Sequence, residues 1–237
     1  MGATSEHISR QFEADLDTTR TRVLQMGGLV EAQITAALGA FVSGDVKAAE
    51  RVIADDARVN GYEVAIDNAC NYIVVKRQPA ASDLRLTMAI AKIVTDLERI
   101  GDEAKKSARM AKHMAEQENP YANRFPAIRY ACEAAVRMLR EALDAFARMD
   151  AASAAKVLRD DREIDTEFRS VLRQAVTYMM EDPRTISAGL DIVWVAKAIE
   201  RIGDHSKNVA EQVIYIVKGT DVRHTSFADV ERELRKQ

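Results

Sequence analysis

The sequence predicts an all-α protein built from two pseudo-symmetric three-helix bundles. The first observation is an internal repeat, because Glu-Arg-Ile-Gly-Asp occurs at 98–102 and returns 102 residues later at 200–204. The second is composition, since only 4 prolines and 10 glycines interrupt 237 residues. The third is the spacing of apolar residues, which recur every three or four positions along most of the chain.

The first two helices of the first half follow from local signals. Apolar spacing predicts a helix over residues 5–42, which Gly27-Gly28 is expected to bend or loosen. Asp45 then follows a turn and is a suitable N-cap for a second helix that runs to about residue 77. Gln78-Pro79 ends that helix, because proline disfavours helical geometry in the residue before it.

A third helix completes the first half and leads to the best domain boundary. Ser82 is predicted to cap this helix, which fades before Pro120. Pro120 and Pro126 are two of the four prolines, and they lie in a polar stretch. The predicted division is a first bundle at 1–118, a second bundle at 124–219 and a C-terminal tail or short helix at 220–237.

The second half repeats the plan of the first half. Asp150 stands 105 residues after Asp45, and Asp182-Pro183 corresponds to Gln78-Pro79. Short connections force neighbouring helices to run antiparallel, so each half is predicted to be an up-down-up bundle of three helices.

Composition and charge exclude several functional classes. The net charge is −3 and acidic and basic residues are interspersed, so a nucleic-acid-binding surface is not expected. Cys70 and Cys132 lack metal-type spacing and are interpreted as free thiols of a cytoplasmic protein. Residues 1–10 lack the apolar core of a signal peptide, and we expect no membrane-spanning segment. The sequence contains no nucleophile elbow, glycine-rich phosphate loop or catalytic triad spacing, so we expect no enzyme active site.

Acidic residues mark the candidate site in each half. Within the repeat, Glu98 and Asp102, and then Glu200 and Asp204, lie one turn apart on a helix face outside the apolar seam. We call these four residues the motif acids. Counting from each hairpin turn places acids of the preceding helix at the same level, with few cations expected nearby. The first acid cluster comprises Glu98, Asp102, Asp56, Asn60, Glu63 and Asp67, and the second comprises Glu200, Asp204, Asp161 and Asp165.

Such clusters have more than one chemical interpretation. Partly desolvated carboxylates require protonation, basic partners or a metal ion. Oxygen-rich ligation favours iron(III), manganese, magnesium or calcium, and zinc also accepts carboxylates. Gly101 and Gly203 would allow the close helix approach that short carboxylates need to share an ion. The alternative is a solvated acidic face paired with Arg99, Arg201, Lys105 or Lys207.

Histidine usage argues against a redox enzyme of the ferritin type. Such di-iron bundles need a Glu-x-x-His motif, which this sequence does not contain. His205 follows Asp204 in one copy of the repeat only, so we interpret it as incidental to the site.

Several stretches together resemble the PhoU family of bacterial phosphate-transport regulators. They are the duplicated motif, RVLQMGGLVE at 22–31, KRQPAASDLR at 76–85, LDAFARMD at 143–150 and YMMED at 178–182. The resemblance extends over roughly residues 8–224 and implies a PhoU-like pair of three-helix bundles. It also implies iron or zinc clusters held by Glu/Asp-x-x-x-Asp pairs, which nominates the motif acids with Asp161 and Asp165. In the first half Asn60 replaces the second acid of the pair, and Glu63-x-x-x-Asp67 offers another pair.

The resemblance also implies a role and partners. It suggests a cytoplasmic negative regulator of the phosphate-starvation response and of phosphate uptake, peripheral to the inner membrane through its partners. Those partners would be the ATPase subunit of the phosphate ABC transporter and the sensor histidine kinase, with the chain itself a homodimer. Iron, zinc, manganese or magnesium are the metals expected. A metal-free scaffold with the same role and a carboxylate-bridged metalloenzyme are the alternatives.

Overall fold

The computed structural model describes the backbone of residues 2–10 and all of 11–117, 125–223, 225 and 227–234. Within these residues the chain is helical and has no strand, which confirms the predicted class. The first bundle contains α1 (Gly2–Ser43), α2 (Val46–Arg77) and α3 (Ala81–Glu116). The second contains α4 (Pro126–Arg148), α5 (Ala151–Glu181) and α6 (Ile186–Lys218), and α7 (Phe227–Leu234) follows. The predicted boundary between 118 and 124 lies outside the described residues.

Local signals set most helix ends as predicted. The side chain of Asp45 accepts a hydrogen bond from the amide of Ala48 at 3.0 Å and caps α2. Asp150 does the same for α5, accepting from the amides of Ala152 and Ser153. These bonds satisfy amide groups that have no partner within the helix.

One local prediction was wrong. Ser82 does not cap α3, because the helix begins one residue earlier, at Ala81, after an extended Ala80 whose side chain makes no capping bond. α1 is continuous through Gly27-Gly28, and the bend expected there stays a prediction. A Cβ on Gly27 would lie 2.5 Å from Leu143 Cδ1, so this glycine allows α1 and α4 to approach closely.

The two bundles pack together through α3 and α6. These helices run antiparallel, since Lys92 lies over the ring of Tyr215 at one end and His113 lies 3.9 Å from Asp191 near the other. Pairing in that register brings the two copies of the repeat to the crossing point of α3 and α6. Buried apolar side chains from both bundles form one continuous core.

The long first helix and the C-terminal segment belong to the same packed body. By length and composition, the stretch Gln11–Ser43 of α1 could cross a membrane, although we expected no membrane-spanning segment from the sequence. In the structure Val23 and Met26 of α1 are fully buried in the core. At the other end of the chain Val222 and Val230 are buried as well.

Candidate metal-binding acid clusters

The first acid cluster lies where α2 packs against α3. Asp56 is buried and its Oδ2 accepts a hydrogen bond from Lys105 Nζ at 2.6 Å. The same ammonium group lies 4.0 Å from Asp102 Oδ1, and Asn60 Nδ2 donates to Asp56 at 3.4 Å. Lys105 therefore bridges one motif acid and the buried acid of the neighbouring helix.

Carboxylates of this cluster also act on one another. Burial, followed by the charges of Asp102 and Glu63, raises the pKa of Glu98. Burial and the charges of Asp67 and Asp102 raise the pKa of Glu63, and burial raises that of Asp67. The α2 acids thus face the α3 pair, as the hairpin count predicts. The first cluster retains negative charge that its lysine does not fully offset.

The second acid cluster repeats this arrangement between α5 and α6. Lys207 Nζ donates to Asp161 Oδ2 at 2.9 Å, and Lys207 stands 102 residues after Lys105. Burial, then the charges of Glu200, Asp161 and Asp165, raises the pKa of Asp204. Burial opposes the charged form of Lys207, but the hydrogen bond and charge of Asp161 raise its pKa overall. Pseudo-symmetry therefore extends from the motif acids to their ion pairs.

The expectation of few local cations was wrong. Lys105 and Lys207 each follow a motif acid by three residues, and their long stems carry the ammonium across to the neighbouring helix. Glu200 pairs with Lys197 in addition. The clusters are thus mixed sites in which a lysine supplies the cation.

The donor chemistry fits a hard cation, but the described side chains are not arranged as a ligand shell. Among these residues, no group of three or more His, Cys, Asp or Glu side chains is placed to hold a metal ion. The carboxylates are gathered and partly desolvated, and each cluster holds its lysine ammonium against an aspartate. Metal binding at the predicted residues therefore stays a prediction.

The two motif glycines allow the predicted close approach of helices. A Cβ on Gly101 would lie 3.3 Å from Val59 Cγ1 and 3.4 Å from Gln33 Oε1. On Gly203 it would lie 2.7 Å from Ile164 Cδ1, a contact that requires the isoleucine to move. Each glycine thus brings the repeat helix close to the helix that carries the partner acids.

Comparison with known proteins matches this duplicated architecture. Residues 23–111 and residues 128–213 each match the PhoU domain. The chain belongs to the PhoU family. Each of the two PhoU domains contains one copy of the motif acids and one lysine bridge.

Relatives are similar along almost their whole length. The chain is 48% identical over 231 residues to a phosphate-specific transport system accessory protein PhoU homolog of Pseudomonas aeruginosa, covering 97% of this chain and 95% of the relative. It is 45% identical over 231 residues to the phosphate-specific transport system accessory protein PhoU of Escherichia coli K12, with the same coverage.

Solved PhoU structures share the fold. The crystal structure of PhoU from Pseudomonas aeruginosa matches with a TM-score of 0.83 and 47% identity, over 88% of this chain and 100% of that chain. The phosphate transport system regulatory protein PhoU from Streptococcus pneumoniae matches with a TM-score of 0.82 and 26% identity, over 89% and 99%.

Polar residues that join the two PhoU domains escaped the sequence-based prediction. His205, which was interpreted as incidental to the acid site, joins the two domains instead, because its Nδ1 shares a hydrogen bond with Asp96 Oδ1 at 2.8 Å across the α3–α6 interface. Asn208 donates to the same oxygen at 3.0 Å. On the other side of the crossing Arg201 lies 3.2 Å from the buried Glu103. Periodicity alone gave no signal for these contacts, because it does not reveal how two bundles dock.

Proposed function

We propose that this chain is an accessory regulator of a phosphate-specific transport system. In this role it holds the phosphate-starvation response off and restrains phosphate uptake when phosphate is plentiful. The proposal rests on one observation, the near full-length identity of 45–48% to relatives that are named as accessory proteins of this transport system. We further propose that the chain acts by contacting the ATPase subunit of the transporter and the sensor histidine kinase, without chemistry of its own.

The acid clusters are proposed to bind iron, zinc, manganese or magnesium within that role. Support comes from the gathered carboxylates and from the raised pKa of Glu98 and Asp204, because a nearby cation would offset both the burial and the mutual repulsion of these groups. The motif acids would supply oxygen ligands to the metal ion, together with Asp161 and Asp165 in the second half. A bound metal ion would replace the charge that Lys105 and Lys207 supply.

A metal-free scaffold with the same regulatory role is the second candidate. The lysine bridges favour it, since Lys105 and Lys207 already neutralise part of each cluster without a metal. Elemental analysis of the purified protein separates the two candidates.

Complementation in cells tests the regulatory role. The chain would be expressed in an Escherichia coli strain that lacks its PhoU protein, and alkaline phosphatase activity would be measured in high phosphate. We expect the chain to restore repression, and a variant with all four motif acids changed to alanine to fail. The matched control changes four exposed acids outside the clusters to alanine, namely Glu13, Glu133, Asp144 and Glu163. Unrepressed phosphatase in cells that contain folded wild-type chain would contradict the proposed role.

A further inference from the structure

Two surface grooves flank the line where α3 crosses α6, and the internal pseudo-symmetry exchanges them. One groove, of about 410 Å³, is lined by Lys106, Arg109 and Met110 of α3 and by Trp194, Lys197 and Arg201 of α6. We call it the basic groove. The other, of about 650 Å³, includes Lys92 and Thr95 of α3 and Glu211 and Gln212 of α6. We call it the polar groove.

Charge separates the two grooves. The basic groove carries its four cations, Lys106, Arg109, Lys197 and Arg201, against a single lining carboxylate, Glu103. In the polar groove the lining cations Lys92, Lys207 and Arg223 are matched by Asp96, Asp204 and Glu211. The charge difference therefore lies in the side chains that α3 and α6 present at equivalent positions, and in Arg223, which the C-terminal segment adds to the polar groove.

Individual positions show the direction of that divergence. Glu211 of the polar groove stands 102 residues after Arg109, and Gln212 stands 102 residues after Met110. Trp194 stands 102 residues after Lys92. At equivalent positions, the basic groove thus has a cation where the polar groove has an acid, and apolar side chains where the polar groove has polar ones.

Lys197 of the basic groove pairs with Glu200, and the positive charge of the other three cations exceeds what Glu103 can satisfy. The side chain of Glu103 is only 4% exposed and is shared by Lys106 Nζ at 2.8 Å and Arg201 at 3.2 Å. Arg109 is exposed and has no ion pair with any side chain in the described part of the chain. A negatively charged ligand would therefore find cations on both walls of this groove.

An exposed apolar stripe leads out of the same groove. Trp194, the only tryptophan of the chain, is 63% exposed. Leu190 and Ile186 precede it at intervals of four residues and are also exposed, so all three lie along one side of α6. Exposed apolar patches of this kind, with tryptophan and arginine side by side, are typical of protein–protein contact surfaces.

We propose that the basic groove docks an acidic amphipathic segment of a partner protein. Apolar side chains of that segment would lie on Trp194, Met110 and Leu190, while its carboxylates pair with Arg109 and Arg201. A nucleotide could place a base on Trp194 and phosphates on the cations, but it would leave the stripe through Leu190 and Ile186 uncovered. The inference rests on the proposed accessory role and deepens it by naming the surface on which a partner binds.

Photocrosslinking in cells tests where partners dock. A benzophenone amino acid would replace Met110 in the basic groove or, as the matched control, Thr95 in the polar groove. Adducts formed on irradiation would be mapped to the partner segment by mass spectrometry. We expect adducts from position 110 that map to an acidic amphipathic segment and are absent from position 95. Equal adducts at both positions, none at position 110, or adducts only to a second copy of this chain would overturn the inference.

A fluorescence titration then measures the docking itself on the full-length protein. The mapped segment would be synthesised as a peptide with any tryptophan changed to phenylalanine, so that Trp194 is the only reporter. We expect the emission of Trp194 to shift to shorter wavelength on binding. The variant Arg109→Glu, Met110→Gln, which installs the residues of the polar groove, should bind at least tenfold more weakly. The matched control Arg51→Glu, Val64→Gln changes exposed residues of α2 and should bind like wild type.

The remaining outcomes separate this inference from the proposed function. No wavelength shift with the mapped peptide, equal affinity of the groove variant, or a saturable response to ATP in place of the peptide would overturn the docking inference. If the docked segment belongs to neither the phosphate transporter nor its kinase, the docking surface stands and the proposed partners are wrong. If complementation succeeds while position 110 gives no adduct, the proposed role stands and the docking inference is wrong.

Discussion

Removing the lysine bridge of the second acid cluster is expected to destabilise the metal-free protein. Lys207→Met keeps most of the aliphatic stem and deletes the ammonium that lies 2.9 Å from Asp161 Oδ2. Asp161 is then left beside Asp204 and Asp165 without that cation. The side chain of Asp161 is 13% exposed and that of Lys207 is 36% exposed, so solvent screens only part of the pair.

The magnitude follows from opposing terms. At an effective dielectric constant of 20, the Coulomb attraction at this distance is about 6 kcal/mol. Desolvation of both groups offsets most of it, and the exposed part of Lys207 reduces it further. A net loss of about 1–2 kcal/mol remains. For a chain of this size that corresponds to a fall in Tm of roughly 2–8 °C.

A double-mutant cycle isolates the interaction. Urea and thermal unfolding in EDTA would be compared for wild type, Lys207→Met, Asp161→Asn and the double variant. Lys112→Met is the matched control, because Lys112 pairs at 2.7 Å with Glu50, whose side chain is 53% exposed, and this variant should unfold like wild type. If Lys207→Met also unfolds like wild type and the coupling energy is zero, then the lysine bridge does not hold the cluster together.

Three further predictions follow from the same geometry. The pKa of Glu98 is raised above 4.5 in the folded state, so this group stabilises the fold below about pH 4.5 and loses that contribution as the pH rises through the folded pKa. In urea unfolding, Glu98→Gln should therefore flatten the decline of the unfolding free energy with pH. At pH 7 the variant should be more stable than wild type by roughly 0.5 kcal/mol. Gly203→Ala should destabilise the protein by about 1 kcal/mol in thermal unfolding, because the clash at 2.7 Å with Ile164 costs more than the gain in helix propensity. Gly101→Ala, whose nearest contact lies at 3.3 Å, should be close to neutral. Equal effects of the two variants would contradict this prediction. Elemental analysis after chelator-free purification should find iron, zinc or manganese in wild type and none in the variant with four alanines at the motif acids, and a metal-free wild type would favour the scaffold.

The sequence predicted those features that depend on neighbours along the chain. Asp45 and Asp150 cap their helices because a cap needs only the next three residues. The level of Glu98 relative to Glu63 was also predictable, since a short hairpin turn fixes the register of the two helices it joins.

Contacts that depend on how helices dock were not predictable from the sequence. Lys105 was named as a possible cation for the acidic face, but its target Asp56 on α2 was not predictable, because a flexible side chain has no periodicity that reveals its partner. His205 meets Asp96 only because α3 and α6 cross antiparallel, which neither bundle specifies by itself. Both misses concern long-range pairs between elements.

Recovery of partners from native membranes tests most directly whether this PhoU-family chain regulates by binding. Affinity-tagged chain would be expressed at its natural level, and membranes from cells grown in high or low phosphate would be solubilised and captured. We expect the transporter ATPase subunit and the sensor kinase to co-purify in high phosphate, with reduced recovery in low phosphate. Recovery of neither protein under either condition, from cells that contain both, would show that the chain does not regulate by binding them.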